Sequence, residues 1–472
     1  MGRNKDLIKN TAFVFIGNVG SKLMSFIMLP LYTRWLPPDA YGITDIITTY
    51  ALLLLNVVAF DISDAIFVFP VGATEENIKK YYSTGFFFQI ICSIVYFLIF
   101  FTLSLIENHS LFFECIWYIY GILISNLFQK YTQDFCRGIK KMTVFSYTGI
   151  IQSASLAFLS IILIPNFGVA GFVIASISAN TLTGMFTFLY SKSHLYLGIK
   201  YFSFDSLKEM LVYSIPLIPT AIIWWLINSL NRPLLESHVG VFAIGLFAVA
   251  NKLPTLINLL FSFFQQAWIV TVIEEFKKDD FGDYYNNMFK MIFSVQLLGC
   301  IIIAICSKLF LSIMTTSEYF SAWVYIPIIS ISVLFSNTSA FCGTVFTACR
   351  KSKYIFYSVI IGGLMAIAAN FLLIPLYGLM GACFSICISH ICSALSRIIM
   401  SSKIVKFQNC NYVFIQLLIF TTTYIGLLST NILIKMVLYL TSLTLYFYTN
   451  RNIIASVYYI IEKSINKKIC KK

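Results

Sequence analysis

The chain alternates long apolar stretches with short polar connections over its whole length. Segments of about 20 apolar residues are long enough to cross a bilayer as helices, and the sequence predicts fourteen of them. The longest connections, 192–209 and 267–285, are too short to hold a catalytic domain outside the membrane. The pattern therefore predicts an all-α polytopic membrane protein. Its predicted spans are 10–33, 41–69, 82–106, 111–133, 143–164, 169–191, 210–230, 239–266, 286–314, 319–347, 354–375, 379–400, 412–430 and 432–449.

Composition supports this class and indicates an orientation. Only 11% of the residues are charged and 59% are hydrophobic, whereas soluble proteins carry roughly 25% charged residues. With the N-terminus inside, most of the 33 lysines and arginines lie on the cytoplasmic side, as membrane insertion favours. Both termini are then cytoplasmic, and the net charge of +13 needs no nucleic acid partner.

No catalytic or metal-binding motif emerges from the sequence. It contains no phosphate-binding loop, no nucleophile elbow and no zinc-protease motif. The 12 cysteines are scattered, mostly within apolar spans, which is typical of small packing residues. We therefore expect a protein that is not an enzyme and holds no metal.

The two halves of the chain contain a repeat. Residues 163–171 are LIPNFGVAG and residues 373–381 are LIPLYGLMG, an offset of 210. A looser match pairs RWLPPDAYG (34–42) with RPLLESHVG (232–240). The matched segments have the same predicted orientation, so the repeat is parallel and predicts two six-helix lobes around a central cavity, as in transporters. The predicted domains are an N-lobe (1–200), a C-lobe (201–406), two further spans (407–449) and a basic amphipathic cytoplasmic tail (450–472).

Polar residues follow one face of several predicted spans. A helix face recurs at i, i+4, i+7 and i+11, and span eight carries a stripe of polar side chains on this spacing beside a lysine. Such a stripe favours a water-filled cavity over contacts between helices. The candidate residues of this lumen are Asn18, Lys22, Ser25, Trp224, Asn228, Arg232, Asn251, Lys252, Thr255, Asn258 and Gln265.

Two lysines lie in the middle of predicted spans. Lys22 and Lys252 have no evident carboxylate in register with them, and a lysine at the centre of a spanning helix costs about 2.5–3.5 kcal/mol on insertion scales. One interpretation is a lumen that binds anions. The alternative is a structural ion pair, Lys22 with Asp45 or Lys252 with Asp61.

The sequence KNTAFVFIGNVGSKLMSFIMLPLYTRWLPPDAYGITDI (9–46) resembles the opening of bacterial polysaccharide-export flippases of the MOP (MATE-like) superfamily. These are the O-antigen and capsule repeat-unit translocases. The likeness includes Gly-Ser-Lys in span one, the paired Pro-x-x-Gly-x-x-Gly turns and the fourteen-helix count. One position departs from it: DAIFVF (64–69) keeps Asp64 and Phe69, but Val68 stands where family members often carry arginine.

The resemblance implies a flippase of the cell (inner) membrane that moves polyprenyl-pyrophosphate-linked oligosaccharide to the outer leaflet by alternating access. It implies head-group contacts from Lys22 and Lys252, and makes Asp45, Asp61 and Asp64 candidates for H⁺ or Na⁺ coupling, with no other cofactor. Expected partners are this glycolipid, membrane lipid, and the polymerase and chain-length proteins of the same pathway. Alternatives are an ion-coupled MATE-type exporter of small molecules and a membrane glycan polymerase or ligase.

Overall fold

A computed structural model describes residue 20 and residues 24–106, 110–453 and 455. These residues form helices and connections, and no strand occurs among them, which confirms the all-α prediction. The α-helices are α1 (Leu29–Trp35), α2 (Pro38–Val58), α3 (Ile62–Val68), α4 (Glu75–Ser104), α5 (Leu111–Glu114), α6 (Ile116–Gly138), α7 (Met142–Tyr190), α8 (Phe204–Ser214), α9 (Ile218–Ser229), α10 (Asn231–His238), α11 (Val241–Ala250), α12 (Lys252–Glu275), α13 (Phe281–Met314), α14 (Ile326–Ala348), α15 (Ser352–Ser402), α16 (Cys410–Leu428) and α17 (Ile432–Thr449).

Ten helices in the described part of the chain are long and apolar enough to cross a membrane. Two of them, α7 with 49 residues and α15 with 51, each cover two predicted spans. A straight helix of the length of α7 would extend about 74 Å, more than twice the hydrocarbon thickness of about 30 Å. Each of these helices must therefore reverse inside its length to remain in the bilayer.

The reversal occurs at a glycine in both helices. Gly168 has φ 54° and ψ −125°, and Gly378 has φ 56° and ψ −130°, a conformation that residues with a Cβ rarely adopt. A Cβ on Gly171 would lie 2.3 Å from the carbonyl oxygen of Leu163, and the equivalent pair 210 residues later gives 2.0 Å. Residues eight apart in a straight helix are separated by about 12 Å, so the chain folds back at both glycines. The stronger sequence repeat is therefore also a repeat of backbone geometry.

The preceding turns repeat as well, although the sequence did not indicate it. Lys140, before α7, has φ 61°, and Arg350, before α15, has φ 56°. These are left-handed conformations at residues other than glycine, 210 positions apart. The repeat thus extends from the end of α6 through α7, and from the end of α14 through α15.

The looser match between residues 34–42 and 232–240 is wrong as a structural repeat. The first segment is interrupted before Pro37, where Leu36 is extended (φ −116°, ψ 119°), because a residue that precedes proline avoids the helical region. The second segment stays helical to His238. Its proline, Pro233, lies in the first turn of α10, where the missing amide hydrogen removes no helical bond.

The helices pack into two compact units. The first consists of Met1–Val249, Met314–Tyr319 and Asn370–Ala382. Its core contains Tyr82 and Tyr131, both fully buried, and the Tyr131 hydroxyl donates a hydrogen bond to the carbonyl oxygen of Tyr82 (2.5 Å).

The second unit consists of Ala250–Ile313, Phe320–Ala369 and Cys383–Lys472. Its core surrounds α14, whose Phe341 packs against the rings of Trp268 (5.0 Å between ring centroids) and Tyr285 (4.9 Å). The domain boundaries at residues 200 and 406 describe the sequence repeat, which these packing units do not test, and they stay predictions. Most of the predicted tail lies outside the described residues.

Candidate functional site

Part of the predicted lumen of span one falls outside the described residues. Asn18 and Lys22 lie there, so their roles stay predictions. Ser25 is described and its side chain is exposed, in keeping with a position that does not pack into the core.

Arg232 and Asp45 form an ion pair in the first unit. The Arg232 Nε atom lies 3.1 Å from Oδ2 of Asp45, and Nη1 donates hydrogen bonds to the carbonyl oxygen of Asn228 (2.5 Å) and to Oδ1 of Asn231 (2.9 Å). The guanidinium also lies 4.7 Å from the ring centroid of Phe247. These contacts fix its plane, as bidentate and stacked arginines require. Asp45, predicted for ion coupling, and Arg232, predicted for the lumen, therefore belong to one cluster.

A second carboxylate, Glu236, lies one helical turn after Arg232. Its Oε1 accepts a hydrogen bond from the backbone N–H of Leu111 (2.7 Å), and its Oε2 accepts one from the Tyr50 hydroxyl (3.4 Å). Helix α10, which carries Glu236, lies in the connection between predicted spans seven and eight. Partial burial raises the pKa of the Glu236 carboxyl, and the negative charge of Glu114 raises it further. Glu236 was not predicted from the sequence, although its i+4 spacing from Arg232 in a short polar segment was a usable signal.

The aromatic part of the predicted lumen lies on α9. Trp224 and Asn228 are half-buried, and Asn228 Nδ2 donates to the carbonyl oxygen of Trp224 (2.8 Å). The neighbouring Trp225 instead bonds across to α2, with its Nε1 donating to the carbonyl oxygen of Thr49 (3.1 Å). Trp225 therefore anchors the helix, and Trp224 is the tryptophan of this pair that can offer its ring to a ligand.

Predicted span two is broken, and one lysine holds the break together. Phe60 and Asp61 have φ values of 51° and 50°, so the chain leaves α2 and enters α3 through two left-handed residues. The Lys130 ammonium lies 2.7 Å from Asp61 and 3.5 Å from Asp64, beyond the break, and 3.3 Å from Oδ1 of Asn56, before it. The side chain of Asp61 is only 6% exposed, so this cation is its main source of charge compensation.

The same face of α6 extends this charge cluster. Arg137 Nη1 lies 3.1 Å from Oδ1 of Asp134, and its guanidinium lies 4.2 Å from the ring centroid of Phe67. Phe67 directly precedes Val68. The Arg137 guanidinium therefore lies beside this part of predicted span two, although residue 68 itself is not an arginine. Lys130, Asp134 and Arg137 occupy positions i, i+4 and i+7, a face that the sequence analysis did not single out.

These contacts bear on the two ion pairs considered as the alternative for the buried lysines. The structure shows Arg232 as the partner of Asp45 and Lys130 as the partner of Asp61. The ion-coupling role of Asp45, Asp61 and Asp64 stays a prediction. The described residues contain no cluster of histidine, cysteine or acidic side chains suited to a metal.

The polar stripe of predicted span eight lies on α12 in the second unit. Thr255 and Asn258 are exposed, whereas Ile257 and Leu259 between and beside them are buried. The Thr255 hydroxyl donates to the carbonyl oxygen of Lys252 (2.6 Å). This polar face therefore lies outside the packed core of its unit.

The ends of the stripe differ. Asn251 and Lys252, at the start of α12, are half-buried. Gln265, two turns beyond Asn258, turns into the core and donates from Nε2 to the carbonyl oxygen of Ala340 on α14 (3.2 Å). Gln265 thus packs helices together, and the open part of the stripe is its first two turns.

The second unit also contains a buried arginine that the sequence analysis treated as a charge of the inner face. Arg397 is 4% exposed, and it donates from Nε to the Ser358 hydroxyl (2.8 Å) and from Nη1 to the carbonyl oxygen of Ser339 (2.9 Å). Within the described residues no carboxylate lies at ion-pairing distance from it. Its signal was the spacing of Ser389, Ser393 and Arg397, which places three polar residues on one helix face.

Solved structures show which fold this arrangement belongs to. The lipid II flippase MurJ, in an inward-closed conformation, superposes with a TM-score of 0.66 over 93% of this chain and 99% of its own, at 14% identity. A mutant of the MATE transporter VcmN from Vibrio cholerae superposes with a TM-score of 0.56 over 86% of this chain and 98% of its own, also at 14% identity. The chain is a multi-pass membrane protein with the helical fold of MOP-superfamily transporters.

Sequence comparisons identify the family. The capsular polysaccharide biosynthesis protein CapF of Staphylococcus aureus is 25% identical over 192 residues, which are 40% of this chain and 48% of CapF. This chain therefore matches about half the length of that relative. Residues 7–275 match the family described as polysaccharide biosynthesis protein. Because this match covers more than half of the chain, the protein belongs to the polysaccharide biosynthesis protein family.

Proposed function

We propose that this protein is a flippase that moves polyprenyl-pyrophosphate-linked oligosaccharides from the cytoplasmic to the outer leaflet by alternating access, and that it is not an enzyme. The observation that carries the proposal is the family match over residues 7–275. The fold, which it has in common with a lipid II flippase, supports the same conclusion. A transporter of this fold moves its substrate by changing which side of a central site is open.

The first two turns of α12 supply a polar surface suited to sugars. Among the described residues, the exposed side-chain amide of Asn258 has no hydrogen-bond partner. Moving an amide from water into hydrocarbon without a hydrogen-bond partner costs roughly 4–8 kcal/mol of free energy. Asn258 therefore faces water or a polar ligand in our proposal, and sugar hydroxyls provide both donors and acceptors for it.

Lys252 and Lys22 offset the charge of the pyrophosphate in this proposal. A charged group in hydrocarbon is severely penalised, and a lysine ammonium is a strong point-charge partner for phosphate. Asn251, Asn258 and the ring of Trp224 would contact the glycan, and the prenyl chain would stay in lipid. Gln265, which packs against Ala340, would act by holding α12 in place.

The membrane potential favours this direction of transport. Moving one charge across the membrane is worth about 2.3 kcal/mol per 100 mV. A head group with two negative charges therefore gains roughly 4–5 kcal/mol per 100 mV when it moves outward from a cell that is negative inside. Coupling to H⁺ or Na⁺ through Asp45, Asp61 or Asp64 would then serve to reset the empty carrier.

A complementation experiment tests the proposal. Deleting the gene from its host should cause inward-facing lipid-linked oligosaccharide to accumulate, and the wild-type chain should clear it. The variants Lys252→Glu and Asn258→Leu should fail to clear it while inserting normally. The matched control is Asn166→Leu, which alters an exposed asparagine outside the stripe. Normal export by Lys252→Glu, or accumulation of a small cation in place of the glycolipid, would refute the proposal.

A further inference from the structure

The second unit contains a polar pocket that the proposed transport function does not use. It has a volume of about 560 Å³ and lies between α13, α16 and the end of α17. Its polar wall consists of Asn287, Lys290, Tyr412, Thr449 and Asn452. The volume is in the range of small-ligand sites.

The pocket carries a positive charge without compensation. Within the part of the chain that the structure describes, the Lys290 ammonium has no carboxylate or hydrogen-bond partner, and neither does the side-chain amide of Asn287. The Tyr412 hydroxyl, by contrast, is fixed by a 2.6 Å hydrogen bond to Oδ1 of Asn450. A rigid wall beside an ammonium and an amide is suited to an anion with several oxygen acceptors.

The depth of the pocket in the bilayer identifies the kind of anion. Helix α17 has 18 residues and is about 27 Å long, close to the hydrocarbon thickness of about 30 Å. Its last residue, Thr449, therefore lies where hydrocarbon meets head groups, on the predicted cytoplasmic side. The remaining wall is apolar, with Met288, Met291 and Ile453. An amphipathic lining at this depth fits a phospholipid whose phosphate contacts the polar wall and whose glycerol and first acyl carbons contact the apolar wall.

We infer that this pocket binds the phosphate head group of an anionic glycerophospholipid of the cytoplasmic leaflet. Basic pockets between membrane helices on this side are known to take anionic head groups. Lys290 pairs with the phosphate, Asn287 donates to it, and the lipid links α16 and α17 to α13. The inference does not depend on the transported substrate.

The test measures lipid binding without transport. The purified full-length chain in detergent is titrated with phosphatidylglycerol or with phosphatidylcholine of the same acyl chains, and the thermal unfolding midpoint reports binding. We expect phosphatidylglycerol to bind about fivefold more tightly, the factor expected for one lysine near an anionic surface. Lys290→Gln should abolish this preference and Lys290→Arg should keep it. Lys403→Gln, at an exposed lysine of the same predicted face, is the matched control and should also keep it.

A second variant guards against misfolding of the first. Asn287→Asp adds a negative charge at an exposed position of nearly unchanged size, and it should also reduce the preference. Equal binding of the two lipids, or an equal loss in Lys403→Gln, would overturn the inference. So would displacement of phosphatidylglycerol by polyprenyl phosphate at lower concentration, which would assign the pocket to the substrate.

Discussion

Replacing Lys130 with methionine tests the charge cluster at the break in predicted span two. The change keeps the apolar stem of the side chain but removes the ammonium that lies 2.7 Å from Asp61. Asp61, 6% exposed, would then lie beside Asp64 without a cation at contact distance.

The size of the effect follows from burial. Breaking a fully buried ion pair costs about 3–5 kcal/mol, and losing a hydrogen bond to a charged group costs about 1.5–3 kcal/mol. The Lys130 side chain is 29% exposed, so water reduces the full penalty. We expect a loss of about 3 kcal/mol in the free energy of unfolding, between the two estimates.

A double-mutant cycle gives the most direct assay. The free energy of unfolding of Lys130→Met, Asp61→Asn and the double variant is compared in one detergent. Since the double variant has no charge left at the buried position 61 and Asp64 is partly exposed, it should recover at least about 1 kcal/mol relative to the sum of the single changes. The control is Glu75→Gln, which removes the exposed pair with Lys79 and should cost less than about 0.5 kcal/mol. Additive single effects would show that Lys130 and Asp61 are not coupled and would refute this reasoning.

Three further predictions concern the backbone reversals, a close helix crossing and Glu236. Gly168→Ala and Gly378→Ala should each lower the free energy of unfolding by about 1–3 kcal/mol, because alanine adopts a positive φ only with strain. The control is Gly282→Ala, which has open space around it and should change the unfolding midpoint little. Gly42→Ala should also lower that midpoint, because its Cβ would lie 2.1 Å from the carbonyl oxygen of Val241; a wild-type midpoint would contradict this close helix crossing. Burial raises the pKa of the Glu236 carboxyl above its ordinary value of 4.5. Because the folded state therefore favours the protonated form, the free energy of unfolding should fall as the pH rises from 4.5 through the raised pKa. Glu236→Gln should flatten this part of the plot of unfolding midpoint against pH, and an unchanged slope would show that another group causes it.

The sequence predicted the features that depend on local pattern. Apolar length predicted the ten membrane-length helices of the described residues, of which α7 and α15 each cover two predicted spans. The shared Pro-x-x-Gly-x-x-Gly motif predicted the reversals at Gly168 and Gly378, because only glycine adopts their conformation readily. The polar face of α12 was predicted from spacing alone as far as Asn258. These features each depend on residues within a few turns of one another.

Features that depend on packing were not predicted. Lys130 and Asp61 are 69 positions apart, and nothing local in the sequence joins them. Arg397 was predicted to be one of the positive charges on the cytoplasmic side. A lysine or arginine near the end of a span looks the same in the sequence whether its side chain reaches water or is buried. Gln265 has the spacing of the lumen stripe but bonds to α14, since a polar side chain can serve either a cavity or a neighbouring helix.

Lipid translocation by the purified chain is the decisive test of the proposed flippase function. Proteoliposomes are prepared with a polyprenyl-pyrophosphate-linked oligosaccharide that carries a fluorophore on its glycan, and a quencher that cannot cross the membrane reports the fraction in the outer leaflet. We expect the wild-type chain to make the protected inner-leaflet fraction accessible to the quencher, and to do so faster with an imposed potential that favours outward movement of the head group. The Lys252→Glu variant should leave this fraction protected. If the protected fraction with the wild-type chain stays as large as in protein-free liposomes, the chain is not a flippase for this lipid.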